Sequence, residues 1–397
     1  MNDNKIIFHL DFDAFFAAIE EIKKPNYKNK PLIVGGRTRN SVVSTCNYLA
    51  RKYGIKSAMP IFQAKILCPQ AIILPGDYAL YNSYSKKIFN FIKEKFTNIC
   101  EQYSIDECFL DVTNTIKKYK DVFALAKTIQ KAIFNNFKLT VSIGISYNKF
   151  LAKMATDLNK PNGITLINKD NFKAKFWPLP IEKMYFIGKS TAKILKEIGI
   201  KTIKDLAQFN NLKLLEHKLG SHWYSIHQNA NGIGDNFVNL QLNNPKSLSV
   251  SYTLLNKTND LNELENWLKI LCLELAEKLK SHQMYCMNII LKFKYSIDKF
   301  YSKNIKLNEP IGSYEEIYKN ASILLNKIFS HQKFFRLLGV GANDLIKIDN
   351  FHQQLTIFSK QSAKNIKKDN LLQNIINKIN NKIGKNVIDW GTKLVKN

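Results

Sequence analysis

No Cys-x-x-Cys pair and no zinc-type spacing occur among the six cysteines, Cys46, Cys68, Cys100, Cys108, Cys272 and Cys286. That argues against a zinc module or a redox dithiol, and the thiols read as small buried apolar side chains of a reducing cytosol. No uncharged run approaches the ~20 residues a membrane helix requires, and no apolar stretch with a small-residue cleavage site opens the chain. A cytoplasmic protein with no membrane partner is expected. Acidic residues are scarce: 32 Asp and Glu stand against 59 Lys and Arg, for a net charge of +27. Such a field attracts polyanions, nucleic acid first among them. The heavy use of Lys, Asn and Ile could also reflect the base composition of a genome. The 397 residues give room for roughly two to four domains.

Periodicity predicts strands at Lys5–Phe12, Pro31–Gly35, Ser41–Ser44, Ala71–Leu74, Thr140–Ser146 and Ile164–Ile167. A hairpin is expected from Ile99–Tyr103 and Cys108–Val112. Helices are expected at Phe15–Ile22, Asn47–Tyr53, Ile61–Leu67, Tyr78–Phe96, Val122–Phe134 and Asn148–Asn159. The first 167 residues therefore read as an α+β domain with an inserted α/β lobe. Residues 169–232 read as all-helical. Within them Ile187-Gly188-Lys189-Ser190-Thr191-Ala192 resembles a helix-hairpin-helix turn, which offers backbone N–H groups to phosphate. Phe186 stands where that pattern has its first glycine, so a plain helical pair stays open. Gly232–Lys246 reads as a linker. Beyond it, strands at Ser249–Leu254, Met287–Tyr295 and Phe335–Val340 alternate with helices at Leu261–Lys280 and Tyr314–Phe329, a small α+β domain. The chain then runs into a Lys-rich polar tail.

Two acidic strings stand at strand ends: Leu10-Asp11-Phe12-Asp13 and Ser104-Ile105-Asp106-Glu107. Adjacent acids between apolar strands repel, and a cation is a natural reason to tolerate them. Asp11, Asp106 and Glu107 are the candidate ligands. Their oxygens suit Mg2+, and two such ions clamp the attacking and leaving oxygens of a phosphoryl or nucleotidyl transfer. A lone Asp-x-Asp is more often a turn or a cap; Asp13 and Asp111 are assigned to local hydrogen bonding and solvent contact. Thr45, Tyr48 and Arg51 lie at one helix start, the last two on one face, and Lys160 follows a later helix. Converging, they would grip a triphosphate; apart, Tyr48 and Arg51 are a surface stripe. Phe15 reads as core. Phe16 could close over a nucleotide sugar, passing a 2′-H and clashing with a 2′-OH, or could simply pack inside.

In order along the chain, Asp11-Phe12-Asp13-Ala14-Phe15-Phe16, Thr45-Cys46-Asn47-Tyr48-Leu49-Ala50-Arg51, Ser104-Ile105-Asp106-Glu107 and Lys160-Pro161-Asn162-Gly163 resemble the motifs of Y-family DNA polymerases of the DinB type. The resemblance implies a right-hand polymerase: palm 1–10 and 74–166, fingers 11–73, thumb 167–233, a linker at 234–246, little finger 247–345 and a basic tail at 346–397. It implies a DNA-directed DNA polymerase of the low-fidelity translesion type, working as a monomer on primer–template DNA and dNTP with two Mg2+ ions and no proofreading. Asp11 and Asp106 would bind both ions, Glu107 the catalytic one, and the Phe12 carbonyl the nucleotide-side one. Tyr48, Arg51 and Lys160 would hold the triphosphate with Thr45 assisting, Phe16 would be the sugar steric gate, and Val42, Ser44 and Ala58 would roof the nascent base pair. Gln354-Leu355-Thr356-Ile357-Phe358 resembles the peptide with which bacterial polymerases dock on a sliding clamp. There Gln354 would bond a pocket rim while Leu355, Ile357 and Phe358 fill an apolar groove; a stray apolar pentapeptide is the alternative. Two rival readings remain at this point: an inactive relative that binds DNA and clamp, and a nucleotide cyclase, which shares the two-metal chemistry but not the thumb, little finger or clamp peptide.

Overall fold

The computed structural model describes residues 5–36, 38, 41–240, 245–296 and 299–348. The chain divides into two compact units between residues 243 and 244, and its class is α+β.

In the first unit, β1 (Ile7–Phe12) leads into α1 (Phe15–Lys23), then β2 (Leu32–Gly35), β3 (Val43–Cys46), α2 (Tyr48–Arg51), α3 (Ile61–Leu67), β4 (Ile72–Leu74) and α4 (Tyr78–Lys95). There follow β5 (Cys100–Gln102), β6 (Glu107–Asp111), α5 (Val122–Phe137), β7 (Val141–Ser146), α6 (Lys149–Leu158) and β8 (Ile164–Leu166). A helical stretch completes it: α7 (Phe172–Phe176), α8 (Lys189–Glu197), α9 (Ile203–Ala207), α10 (Leu212–Leu219) and α11 (Trp223–Ala230).

The main sheet has the order β5-β6-β1-β7-β8, so β1 is central. Both faces are covered, which is why all six residues of β1 are buried. The strand's period of two sorts them. Phe8, Leu10 and Phe12 join Tyr81, Ile88 and Phe89 of α4 and Leu125 and Ile129 of α5 in one core. Ile7, His9 and Asp11 face the other way, where Ile7 meets Ala152 of α6 and His9 meets Thr156 of α6. The helix comes very close because β7 carries Gly144 beneath it: a Cβ there would lie 1.9 Å from the Ala152 carbonyl oxygen. A second, small sheet, β3-β2-β4, packs Ile33, Val43 and Cys46 against Ala50, Ile61 and Ala64.

Among the helices α7 to α11, Phe172, Phe176, Leu195, Ile203, Leu206, Leu215 and Ile226 form a core that also takes in Phe150, Leu151 and Met154 of α6. Gly188 is the N-cap of α8. Phe186 has φ +74°, so the backbone at this position takes the left-handed form that the motif's glycine would allow, with an exposed phenyl ring in its place.

The second unit is an antiparallel sheet ordered β11-β10-β12-β9, built from β9 (Ser247–Thr258), β10 (Met284–Lys294), β11 (Tyr301–Ile311) and β12 (Phe335–Lys347). Helix α12 (Leu261–Ser281) packs over β9 and β12, and α13 (Tyr314–Ile328) over β10 and β11. Three strands were expected here; β11 is the addition. The strand is an edge, mostly exposed, with Lys303, Asn304, Lys306, Asn308 and Glu309 in its run; its alternation is short, confined to Ile305, Leu307 and Ile311, and Glu309 and Pro310 interrupt it. Helix α2 is shorter than the expected Asn47–Tyr53 because Asn47 caps it and the chain turns away at Lys52–Gly54. Among the described residues no helix is long and apolar enough to cross a membrane.

Candidate active site

Strand pairing brings the two acidic strings together. In the β1–β6 ladder Asp11 lies directly opposite Glu107, and the Phe12 N–H donates to the Asp106 carbonyl at 3.0 Å. Like charges opposite one another across a ladder destabilise it, and two lysines answer them. Lys160 Nζ lies 2.5 Å from Asp11 Oδ2 and 2.9 Å from Asp157 Oδ1. Lys153 Nζ, on α6, lies 2.8 Å from Glu107 Oε1. The Ser104 hydroxyl donates to Asp106 Oδ1 at 2.6 Å and fixes that carboxylate in the turn.

These contacts leave their mark on the protonation equilibria. Burial pushes the Asp11 carboxyl up to about 8, against the pull of Lys160 and with the neighbouring Glu107 adding to it. Glu107 moves the other way: burial opposes its charge, but its neighbours His9, Asp11 and Lys153 carry it below the usual carboxylate range. Burial is also the main cause of the raised Asp106. Lys160 is raised because Asp11 and Asp157 outweigh its own desolvation. Among the described residues no three His, Cys, Asp or Glu side chains converge as a ready-made metal cage. Instead, two ammonium groups stand on the Asp11 and Glu107 oxygens. Buried, crowded carboxylate oxygens with cations already drawn to them fit hard divalent ions, whose remaining ligands come from water and phosphate.

A cavity of about 210 Å3 opens over this cluster. Of the residues expected at a site, Asp11, Phe12, Phe16, Ser44, Thr45, Tyr48, Arg51, Asp106 and Lys160 line it. So do Phe15, which was expected in the core and not at the site, and Ala14 and Ser57, to which the sequence reading gave no role. Glu107, Val42 and Ala58 are not in its lining. Val42 is exposed and bridges Pro60, while the Ala58 N–H donates to the Val43 carbonyl. The Arg51 guanidinium sits 4.7 Å over the Tyr48 ring and its Nε–H donates to the Cys46 carbonyl. The platform beneath them is Asn47, whose buried amide accepts from the Leu32 and Ala50 N–H groups and donates to the Lys30 carbonyl and Glu21. The Phe16 ring stacks on Tyr81 at 4.4 Å and meets Tyr78 edge-on at 5.7 Å. Phe15 is core, as expected, at 2% exposure.

The solvent contact expected for Asp13 and Asp111 is wrong: both are buried. Asp13 accepts from Ser142 Oγ at 2.8 Å, from the Asn162 N–H at 2.8 Å and from the Tyr48 hydroxyl at 3.3 Å. It thereby pins β7, the turn after Lys160 and α2 to the end of β1. Asp111 accepts from the Thr113 N–H and hydroxyl, which is local, but also pairs with Lys5. Gln354, Leu355, Ile357 and Phe358 lie outside the described residues. A larger cleft of about 450 Å3 beside the β5–β6 turn is walled by Tyr103, Phe150, Tyr185, Phe186 and Tyr224. It holds none of the three carboxylates and is not the candidate site.

The chain matches the impB/mucB/samB family over residues 10–157, that family's C-terminal domain over residues 245–357 and its HHH motif over residues 169–200. It is 40% identical over 359 residues to the DNA polymerase IV of Ureaplasma parvum serovar 3, covering 90% of this chain and 99% of that one. It is 35% identical over 396 residues to the DNA polymerase IV of Bacillus velezensis, covering 99% of this chain and 94% of that one. Among solved structures, a Y-family DNA polymerase chimera aligns with a TM-score of 0.76 at 30% identity, over 86% of this chain and 99% of its own. The insertion ternary complex of Dbh DNA polymerase aligns with a TM-score of 0.57 at 30% identity over the same shares. With likeness of this depth running through nearly the whole chain, the protein belongs to the Y-family of DNA-directed DNA polymerases, in the DNA polymerase IV group.

Proposed function

We propose that the 210 Å3 cavity is the nucleotidyl-transfer site, where a dNMP is added to a primer 3′-OH on template DNA with release of pyrophosphate. The observation that carries this reading is convergence: residues of four motifs spread from Asp11 to Lys160 line one cavity beside one acidic cluster. In this reading Asp11, Asp106, Glu107 and the Phe12 carbonyl hold two Mg2+ ions. When bound, such ions supply Lewis-acid activation of the hydroxyl and neutralise the triphosphate. The chain's own groups do the positioning. Arg51, backed by the Tyr48 ring, and Lys160 offer charge to the phosphates; Tyr48 and Thr45 offer hydroxyls. Lys160 gives up Asp11 as it does so, which frees that carboxylate for a cation. Phe16 closes on the sugar. Ser44 at the cavity wall, with Val42 and Ala58, makes a roof of small side chains, the basis for expecting low-fidelity synthesis across distorted templates. Residues 1–10 with 74–166, 11–73, 167–233 and 247–345 serve as palm, fingers, thumb and little finger, and Gln354–Phe358 docks on a sliding clamp. A solved relative named as an insertion ternary complex supports DNA and an incoming nucleotide as partners. The inactive-relative alternative is not favoured, since the chain keeps all three acids: Asp11 and Asp106 line the cavity, and Glu107 lies opposite Asp11 in the ladder beside it. Primer extension with Asp106→Ala and Glu107→Ala, beside DNA binding by the same variants, tests the proposal: extension should vanish and binding persist.

A further inference from the structure

His9 is fully buried on β1, on the face of the sheet that carries Asp11. Its Nδ1 lies 2.9 Å from Thr156 Oγ1. Its Nε2 is, among the described residues, the one buried side-chain nitrogen or oxygen without a hydrogen-bond partner. That atom points at Glu107 Oε2 from 3.9 Å, a gap beyond hydrogen-bond reach that a turn of the carboxylate closes. A buried polar group left unpaired calls for an explanation.

Proton accounting gives the tautomer. Thr156 has one hydroxyl proton and three acceptors within reach: His9 Nδ1, the His9 carbonyl at 3.2 Å and the Ala152 carbonyl at 3.0 Å. The two carbonyls belong to regular elements, β1 and α6, whose ladders already supply backbone N–H donors. Nδ1 has no other source. If the hydroxyl donates to Nδ1, the ring proton sits on Nε2 and faces the carboxylate. The opposite tautomer would set a bare lone pair against a carboxylate in a buried place, which is costly.

We propose that His9 is a positioning residue for Glu107: its Nε2–H, oriented by Thr156, is the donor that one Glu107 oxygen takes up when the carboxylate turns to hold a divalent cation. Lys153 anchors the other oxygen at 2.8 Å. The carboxylate is then gripped at both ends from behind, as ligating groups generally are by the residues around them. The inference rests on Glu107 being a cation ligand.

The test uses the full chain and Mn2+ as probe, with bound metal read by electron paramagnetic resonance. Glu107→Ala should weaken Mn2+ binding. His9→Phe should weaken it about 10-fold, the lower end for losing a group that orients a ligand. His9→Gln should restore it, because the Gln amide nitrogen reaches close to the place of Nε2. In the wild type, 15N NMR of the imidazole should find the proton on Nε2. Unchanged Mn2+ affinity in His9→Phe beside a loss in Glu107→Ala overturns the role of His9 and leaves Glu107 standing. Unchanged affinity in Glu107→Ala overturns the ligand reading itself. Should His9→Phe fail to fold, Thr156→Val and the wild-type tautomer decide: a proton on Nδ1, or full Mn2+ affinity in Thr156→Val, refutes the arrangement.

Discussion

Replacing Phe16 by Ala separates two jobs that one ring could hold. The ring lines the cavity, yet it also stacks on Tyr81 at 4.4 Å and 12° and meets Tyr78 edge-on at 5.7 Å. A fully buried Phe costs ~3–5 kcal/mol on truncation to Ala. Phe16 is only half-buried, so the loss should be about 2 kcal/mol, including the ring pairings at ~0.5–1.5 kcal/mol each. For a unit of this size that lowers Tm by about 4–8 °C. Those numbers follow whether or not the ring is a gate. The gate adds a second, independent number. If the phenyl edge excludes the 2′-OH, its removal should raise the rNTP/dNTP ratio of kcat/KM by about 100-fold, roughly 2.7 kcal/mol of discrimination. The assay is single-nucleotide insertion on one primer–template with matched rNTP and dNTP, beside a thermal melt. Phe16→Leu is the control, since it keeps bulk at the cavity and loses the stack. It should melt early and still reject ribonucleotides. A ratio that stays at the wild-type value in Phe16→Ala, with Tm lowered, makes Phe16 a packing residue and removes it from the site.

Four further outcomes follow. Asp106→Ala and Glu107→Ala should each abolish primer extension while DNA affinity, measured by fluorescence anisotropy, stays within a few-fold, because phosphate contacts elsewhere carry it. That affinity should fall steeply with salt and vary little with sequence, given a net charge of +27 and contacts that carry no base code; a flat plot of log K against log salt contradicts it. Changing Leu355 and Phe358 to Ala should remove stimulation by a sliding clamp without altering distributive synthesis or the melt, and persistent stimulation ends the docking idea. Burial holds His9 down at about 4, below its ordinary 6.5, so the unfolded chain takes up this proton first as pH falls: the imidazole's own share of the pH dependence is nil above pH ~6.5 and costs ~3 kcal/mol of stability by pH ~4, read as the difference between wild type and a variant without the ring. Metal-free His9→Gln should lack that share of the acid limb in urea melts, and an identical limb in both proteins argues against a buried neutral imidazole.

What could be read from the sequence divides along a physical line. Elements whose apolar side chains repeat with the period of the backbone, such as β7, α4 and α5, declare themselves, since setting that apolar face into the core is what orders them. β11 does not, because as an edge strand it buries only Ile311 and half-buries Ile305 and Leu307, too short an alternation to stand out among the Lys, Asn and Glu around it. Phe186 is a different case. The residue type argued against a glycine-like turn, and the backbone adopts one regardless at φ +74°, a cost of roughly 1–3 kcal/mol that the surrounding helices override.

At the site the same line recurs in three dimensions. Motifs name residues that differ chemically from their neighbours, and the named set largely converges on the cavity. They are silent about residues whose role comes from pairing register and packing. Asp13 looked like a solvent-facing neighbour of Asp11. Its partners Ser142 and Asn162 lie 129 and 149 positions away, and no local pattern could announce them. Lys153 and His9 are silent for the same reason, one an ordinary helix lysine, the other a lone strand histidine. Yet the register that sets Asp11 opposite Glu107 makes both necessary, because two facing carboxylates inside a sheet need cations and donors on every open side. The sequence therefore announces the groups that would meet substrate. The groups that hold them appear only when β1, β6 and α6 are laid together, and it is there that substitutions far from any motif should be felt in catalysis.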